Sequence, residues 1–321
     1  MFFFRALFAA FLLISSAGAQ RLERSTDAMG ATFSVVLYGS DQASMNQAIE
    51  AAFDEAHRLD ELLSNYKPGS EWSRVNRDAA THPVPVSPEL FQLLSDCLGY
   101  SRASEGTFDI TVGPLMRAWG FFGGTHHVPS SEQLRDALQI VGSQHIQLDA
   151  QAHTVRFDRP GVEIDPGGVG KGYAVDRMVA ILRARGFQNA LVAASGSSIY
   201  GLGNPPEEPR GWSVNIADPW DHRKHAAQVF LKDISLSTSG TYEKSFRVNG
   251  HRYSHIMDPR HGVPAEGAVQ VTVLAPRAID SEVWAKPFFI QGISWTTAHK
   301  PQSWRVLYCE NNSGAGCSWV Q

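Results

Sequence analysis

The stretch that most constrains this chain is residues 163–176, which read Glu-Ile-Asp-Pro-Gly-Gly-Val-Gly-Lys-Gly-Tyr-Ala-Val-Asp. A short apolar approach leads to Asp165, four glycines then surround Lys171, and a helical pattern of apolar residues follows. Glycine lets the backbone take positive φ and approach an anion closely, and a helix N-terminus presents N–H groups and a positive dipole end. The stretch therefore predicts a strand, a glycine-rich turn and a helix that hold a phosphate, with Lys171 adding a positive charge.

Two common nucleotide-binding motifs do not match this stretch. A P-loop needs G-x-x-x-x-G-K-[ST], but Asp165 stands five residues before Gly170, and Gly172 follows the lysine. The Rossmann pattern G-x-G-x-x-G fails because Tyr173 occupies the place of its third glycine. A glycine cluster can also merely cap a helix, so the polar motifs elsewhere in the chain must decide between a cap and a phosphate site.

The N-terminus has the pattern of a targeting segment. Arg5 precedes an apolar run over residues 6–14, and Ala17-Gly18-Ala19 follows. This pattern predicts a secretory signal peptide over residues 1–19, cleaved before Gln20, because the run is too short to span a bilayer. With no cysteine at the cleavage site, no lipid anchor is expected. We expect an exported, soluble, periplasmic or otherwise extracytoplasmic protein whose residues 20–321 form one domain or two joined subdomains, with no integral membrane span.

Periodicity along the rest of the chain predicts an α+β fold with mixed, mostly antiparallel sheets and flanking helices. The net charge of −4 gives no support to a nucleic-acid partner. The expected helices cover residues 42–63, 87–104, 130–141, 173–185 and 281–289. The expected strands cover residues 32–38, 146–148, 154–157, 190–194, 212–216, 228–231, 235–237, 246–248, 252–253, 269–274 and 304–308.

The three cysteines suggest two different roles. Cys97 lies on the apolar stripe of a predicted helix and is expected to be a core thiol. Cys309 and Cys317 flank a turn-rich stretch between two short apolar runs, so an oxidising compartment favours a disulfide across that hairpin.

Three further polar motifs accompany the glycine-rich stretch. Residues 235–243 hold five serine and threonine residues, which we expect around a turn at Gly240. Residues 255–262 combine an imidazole, a carboxylate and a guanidinium in one loop, a set suited to phosphate recognition or acid–base work. The third motif is Gly106-Thr107-Phe108-Asp109-Ile110-Thr111.

In this order the motifs resemble the ApbE family of FAD:protein FMN transferases, from about Met29 to Gly292. The resemblance implies an ApbE-like, T-fold-related architecture. It also implies that FAD is the substrate, that a threonine hydroxyl of a target flavoprotein attacks its pyrophosphate, and that AMP leaves while FMN stays on the target. Two alternatives remain, an FAD pyrophosphatase that gives FMN and AMP, and an exported FAD-binding protein without catalysis. By match to the family motifs, the FAD-binding residues are Met29, Tyr66, Thr107, Phe108, Asp109, Asp165, Lys171, His255 and Ile256.

The residue chemistry agrees with this reaction. Attack on a pyrophosphate needs charge neutralisation more than covalent help, and Lys171 with the nearby backbone amides can supply it. His255 or Asp258 could accept the hydroxyl proton, and the sequence does not choose between them. Tyr66, Phe108 and Trp119 could pack against the flavin or the adenine, and plain core filling explains Trp119 better than it explains Tyr66.

The sequence departs from the family pattern where Mg²⁺ is expected. The family pattern places an Asp and a Thr beside the carbonyl of Gly168, but Glu282 and Lys286 stand there, and a usual Gly-Gly-Asp turn reads Gly196-Ser197-Ser198. A charged lysine only donates hydrogen bonds. We predict that Lys286 places its ammonium near the metal position, paired with Glu282, and that activity depends less on Mg²⁺. The alternative is a surface ion pair, with the metal held by Asp280 and the Gly168 carbonyl.

Overall fold

The structure, a computed structural model, describes residues 19–311 and 316–321, so the predicted signal peptide lies outside the described residues except for Ala19. The strands are β1 Gln20–Ala28, β2 Ala31–Gly39, β3 Val84–Pro85, β4 Ile146–Asp149, β5 Thr154–Phe157, β6 Ala190–Ala194, β7 Ser198–Leu202, β8 Trp212–Ala217, β9 His225–Leu231, β10 Ile234–Gly240, β11 Ser245–Val248, β12 His251–Ser254, β13 Met257–Asp258, β14 Val263–Pro264, β15 Ala268–Ala275, β16 Arg305–Glu310 and β17 Cys317–Trp319. The helices are α1 Gln42–Leu63, α2 Glu71–Asp78, α3 Pro88–Ala103, α4 Gly113–Ala118, α5 Ser131–Leu138, α6 Gly170–Ala184, α7 Ala278–Gln291 and α8 Ile293–His299.

An eight-stranded sheet organises the molecule, in the order β1-β2-β6-β7-β10-β15-β16-β17. Every neighbouring pair in it is antiparallel. Helices lie beside this sheet, which confirms the predicted α+β class with mostly antiparallel sheets. Within the described residues, no helix has both the length and the apolar character needed to cross a bilayer.

The two faces of the sheet are covered by different elements, as strand β2 shows. Phe33, Val35 and Leu37 are buried in one core together with residues of α1 and α6. Val36 points to the opposite face, where the β8–β9 hairpin covers it. Successive side chains of a strand alternate between faces, and both faces of β2 are apolar because both are covered.

Helix α7 brings the sheet and the glycine-rich stretch together. Val283 belongs to the core around α2 and α3, whereas Phe288 and Phe289 belong to the core against β15 and β16.

The carboxylate of Asp176 on α6 accepts from the N–H groups of Ala278 and Ile279, at 2.7 and 2.9 Å. It thus caps α7, and burial raises its pKa to about 6. The last residue of the 163–176 stretch therefore fixes the start of α7 against α6.

Gly172 packs tightly against the start of α7, and we expect Gly172→Ala to destabilise the protein by about 1–3 kcal/mol, the usual range for overpacking. A Cβ at this position would lie 2.4 Å from the carbonyl oxygen of Ala278, which is backbone and cannot rotate away. The matched control is Gly99→Ala in α3, where a Cβ would meet nothing within 4 Å. That change should be neutral or stabilising, since glycine costs about 0.5–1 kcal/mol relative to alanine inside a helix. Urea unfolding of both variants measures the difference, and equal stabilities would contradict the close packing.

The segment before the glycine-rich turn has no regular secondary structure and is not the predicted strand. Side chains of α2 satisfy its backbone in place of a neighbouring strand. Trp72 Nε1 and Asn76 Nδ2 donate to the carbonyl of Ile164, at 3.0 and 2.9 Å, and the N–H of Ile164 donates to Asn76 Oδ1 at 2.8 Å. Helix α6 also begins at Gly170, three residues before the predicted start, so the glycines form its first turn.

The hydroxyl-rich stretch 235–243 is a central strand through Gly240, and not residues around a turn at that glycine. Strand β10 pairs with β7 on one side and β15 on the other, so its backbone is satisfied by the sheet. Two of its hydroxyls bind α7: those of Ser235 and Ser237 both reach Ser281, at 2.9 and 2.8 Å. These buried hydrogen bonds hold α7 on the sheet.

Both expectations for the cysteines are confirmed. Cys97 is a free thiol on the buried face of α3. Cys309 and Cys317 form a disulfide between the paired strands β16 and β17.

Candidate active site

The glycine-rich turn lies over an aromatic ring. A Cβ at Gly168 would stand 3.2 Å from the ring of Phe108, so glycine lets the turn sit directly on that ring. Phe108 is 4% exposed and meets Tyr100 edge-on. Asp165 accepts a hydrogen bond of 2.5 Å from the N–H of Gly167, and burial raises the pKa of Asp165. Met29, in the turn between β1 and β2, has its Cε 3.0 Å from a Cβ built at Gly170.

Lys171 stands in the first turn of α6 and points to the end of β6. Its Nζ donates to the hydroxyl of Ser197 at 2.7 Å, and that hydroxyl in turn donates to the carbonyl of Ala194 at 3.3 Å. The sequence did not identify Ser197 as a site residue. The signal that could have found it is its place in the altered Gly196-Ser197-Ser198 turn.

Lys286 reaches the glycine-rich turn from α7. Its Nζ donates to the carbonyl oxygen of Gly168 at 3.2 Å and to the carbonyl oxygen of Glu282 at 2.7 Å. Burial lowers the pKa of Lys286 to about 8, and the positive charge of Lys171 lowers it too, whereas Glu282 and Glu243 act in the other direction. The side chain is half-buried and lies against the glycine-rich turn, which is not the geometry of a surface ion pair.

The predicted pair between Lys286 and the Glu282 side chain is wrong. The Glu282 carboxylate, 3% exposed, accepts from the N–H of Gly172 at 2.5 Å, while Lys286 contacts the main-chain oxygen of Glu282. The carboxylate therefore neutralises the positive end of α6. Not all amides of the turn face a ligand as predicted, since that of Gly172 is bound to Glu282 and that of Gly170 donates to the carbonyl of Pro166.

Asp280, the alternative metal ligand, points elsewhere. Its carboxylate accepts from Arg277 Nη2 at 2.7 Å and from the Tyr100 hydroxyl at 2.5 Å. Mg²⁺ prefers an octahedron of oxygen ligands. Within residues 19–311 and 316–321, no group of three His, Cys, Asp or Glu side chains could hold a metal ion. With an ammonium on the Gly168 carbonyl and Glu282 committed to a backbone N–H, the residues present do not fit Mg²⁺.

His255 follows strand β12 and is partly buried. Its Nδ1 lies 3.1 Å from the carbonyl oxygen of Lys244, and a carbonyl only accepts, so Nδ1 carries the proton and Nε2 keeps its lone pair. Burial and the charges of Lys244, Lys286 and Lys171 lower the pKa of His255 to about 4, although the hydrogen bond to the Lys244 carbonyl acts in the other direction. The imidazole is therefore neutral near pH 7. Lys244 carries no sequence signal that could have identified it.

Asp258 is committed to its own loop. Its carboxylate accepts from Nε and Nη2 of Arg260, at 3.0 and 2.9 Å, and from Nδ1 of His261 at 2.9 Å. Burial raises the pKa of Asp258, but the hydrogen bonds from Arg260 and His261 outweigh it and hold the pKa below its usual range. Of the two candidate bases, His255 has the available lone pair.

Of the remaining residues discussed from the sequence, all are buried except Tyr66. Thr107 and Asp109 are buried and bond within the protein: the Thr107 hydroxyl donates to Ser104 at 2.7 Å, and Asp109 accepts from Thr111 and Ser143. The side chain of Ile256 packs in the core beside α7. Tyr66 is 80% exposed. Trp119 fills a core and donates from Nε1 to the carbonyl of Gly262 at 2.8 Å.

Comparison with known proteins adds to this geometry. A protein-family model described as the ApbE family matches residues 29–303. A Salmonella typhimurium protein named FAD:protein FMN transferase is 34% identical over 308 residues, covering 89% of this chain and 85% of its own. The crystal structure of the ApbE protein from Thermotoga maritima superposes with a TM-score of 0.84 at 27% identity, covering 94% and 97% of the two chains. The flavin transferase ApbE from Vibrio cholerae superposes with a TM-score of 0.79 at 27% identity, covering 94% and 96%.

Proposed function

Because this chain belongs to the ApbE family and is an FAD:protein FMN transferase, we propose that the glycine-rich turn, Lys171 and His255 carry out its reaction. The oxygen of an acceptor threonine hydroxyl attacks the phosphorus on the flavin side of the FAD pyrophosphate. The bond from that phosphorus to the bridging oxygen breaks, and AMP leaves with the bridging oxygen. FMN stays on the target protein through a phosphoester bond.

The observation that supports this most is a neutral imidazole among fixed positive charges. The Lys286 ammonium lies on the glycine-rich turn, the Lys171 ammonium lies on Ser197, and both charges act on His255. Positive groups already in place stabilise a pyrophosphate and the charge that develops on it during transfer, without reorganising during the reaction. A neutral base beside them can accept the hydroxyl proton at pH 7.

We assign the base role to His255 and not to Asp258. The tautomer fixed by Lys244 leaves Nε2 as the acceptor, whereas the Asp258 carboxylate is bound by Arg260 and His261. The low pKa of His255 refers to the protein without FAD. The negative phosphates would raise this pKa on binding, which makes the imidazole a stronger base when the substrate is present.

The FAD-binding residues follow from the same arrangement. We assign the pyrophosphate to the turn that starts at Asp165 and to Lys171, and a ring of FAD to the exposed Tyr66. Met29 and Phe108 support the turn from beneath. Thr107, Asp109 and Ile256 are buried and shape the loops around it, so their proposed part in FAD binding is indirect.

Incubation with FAD and a candidate target flavoprotein, followed by mass spectrometry, tests the reaction and the acceptor. A mass gain of one FMN on a threonine of the target, with one AMP released, is the expected result. AMP released without modified target would indicate FAD hydrolysis. A complex with FAD that gives neither product would indicate a binding protein.

We further propose that the protein is exported and that residues 20–321 work as one domain. The N-terminal pattern around Arg5 and Ala17-Gly18-Ala19 supports export. The disulfide between Cys309 and Cys317 suits an oxidising compartment. Sequencing the N-terminus of protein isolated from its native cells should give Gln20 or a neighbouring residue, and an intact Met1 would contradict export by this route.

A further inference from the structure

Lys286 is held in an unusual way for a lysine on a helix. Its ammonium sits between two main-chain oxygens, that of Gly168 in the glycine-rich turn and that of Glu282 one turn earlier on α7. An ammonium has three N–H donors, and these two bonds use two of them. Among the residues that the structure describes, the third has no hydrogen-bond partner, so one donor and the full charge remain for a ligand.

The surroundings keep this ammonium from being neutralised. The nearest carboxylate on its helix, Glu282, is bound to the N–H of Gly172. Asp280 is engaged by Arg277 and Tyr100. Among the described residues, none forms an ion pair with Lys286, and the carboxylates of Glu282 and Glu243 act on it only through their charge. A half-buried cation without a bonded anion is costly, and the cost is offset when an anionic substrate binds.

We propose that the Lys286 ammonium is a built-in cation that binds the FAD pyrophosphate where a divalent metal would otherwise be needed, so that this transferase binds FAD without Mg²⁺. The inference rests on the proposed function, since it assigns a group to the same substrate. A divalent cation would have to displace the ammonium from the Gly168 carbonyl and would be repelled by its charge. Lys286 on α7 and Lys171 on α6 then both contact the phosphates.

The size of the expected effect follows from the type of contact. Hydrogen bonds to charged groups contribute about 1.5–3 kcal/mol, which corresponds to roughly a tenfold to a hundredfold change in affinity. Lys286→Met removes the charge but keeps an unbranched apolar stem of similar length. Its FAD dissociation constant should therefore rise at least about tenfold.

The experiment is a calorimetric titration of FAD into chelator-treated protein, with and without added MgCl₂. The unmodified protein should bind FAD in the chelator, with a dissociation constant that changes by less than about threefold when Mg²⁺ is added. Lys286→Met should bind at least about tenfold more weakly in the chelator. The matched control is Lys232→Met, an exposed lysine that donates to the carbonyl of Pro209. It should bind FAD like the parent, and thermal unfolding of each variant verifies that it is folded.

Two results would overturn the inference. The first is tight FAD binding by the unmodified protein that is lost in the chelator and restored by Mg²⁺, with the fold unchanged. The second is unchanged FAD affinity in folded Lys286→Met. Both leave the proposed function standing, whereas failure of the unmodified protein to bind FAD in either buffer would overturn the proposed function together with this inference.

Discussion

His255→Gln should lower the rate of flavin transfer about 10²- to 10⁴-fold while FAD still binds, because a positioned general base contributes a factor of this size. Glutamine can still donate to the Lys244 carbonyl but has no nitrogen that accepts a proton. Single-turnover transfer to the target protein measures the rate, and a separate FAD titration measures binding. The control is His225→Gln, an exposed histidine on β9, which should transfer at the parent rate.

The pH profile of kcat/KM provides a second test of His255, since it reports the pKa of the catalytic base in the free enzyme. With a pKa of about 4 for His255, the acidic limb should fall near pH 4, below the ordinary histidine value of about 6.5. Below that limb the imidazole is protonated and can no longer accept the hydroxyl proton, so activity is lost as the pH falls. An acidic limb near pH 6.5 would contradict the low pKa of His255, and transfer by His255→Gln at more than a tenth of the parent rate would exclude His255 as the base.

Lys171→Ala should weaken FAD binding at least about tenfold without unfolding the protein, by the same energetics of charge-assisted hydrogen bonds. Lys171 stands in the first turn of α6, and its ammonium contacts the hydroxyl of Ser197. Ser197 keeps its own hydrogen bond to the carbonyl of Ala194 when the lysine is removed, so we expect little loss of stability, whereas loss of the positive charge removes a phosphate partner. FAD titration measures the affinity, and thermal unfolding measures the stability.

Lys224→Ala is the control for that change, since Lys224 is exposed and pairs with Asp221 at 3.6 Å. Both variants remove one positive charge from the protein, so a general electrostatic effect would appear in both. A loss of affinity confined to Lys171→Ala supports the assignment of the phosphates to the glycine-rich turn. Equal affinities for the two variants would place the phosphates elsewhere.

The sequence by itself determined the features that depend on neighbouring residues. Helix α1 runs over Gln42–Leu63 as its periodicity predicts. The hairpin β11–β12 turns at Asn249-Gly250, where both residues have positive φ. The order of the polar motifs was enough to indicate the family, because each motif is a contiguous run with its own chemistry.

Only the tertiary structure decided which of those groups meet. The spacing of Glu282 and Lys286 on a helix predicts a contact between their side chains. Instead, the Glu282 carboxylate accepts from the N–H of Gly172, and the Lys286 ammonium donates to the carbonyl of Gly168. Likewise, the choice of His255 over Asp258 depends on the carbonyl of Lys244, eleven residues away. Hydrogen bonds between distant segments depend on how helices and strands pack, and no local pattern of residues encodes them.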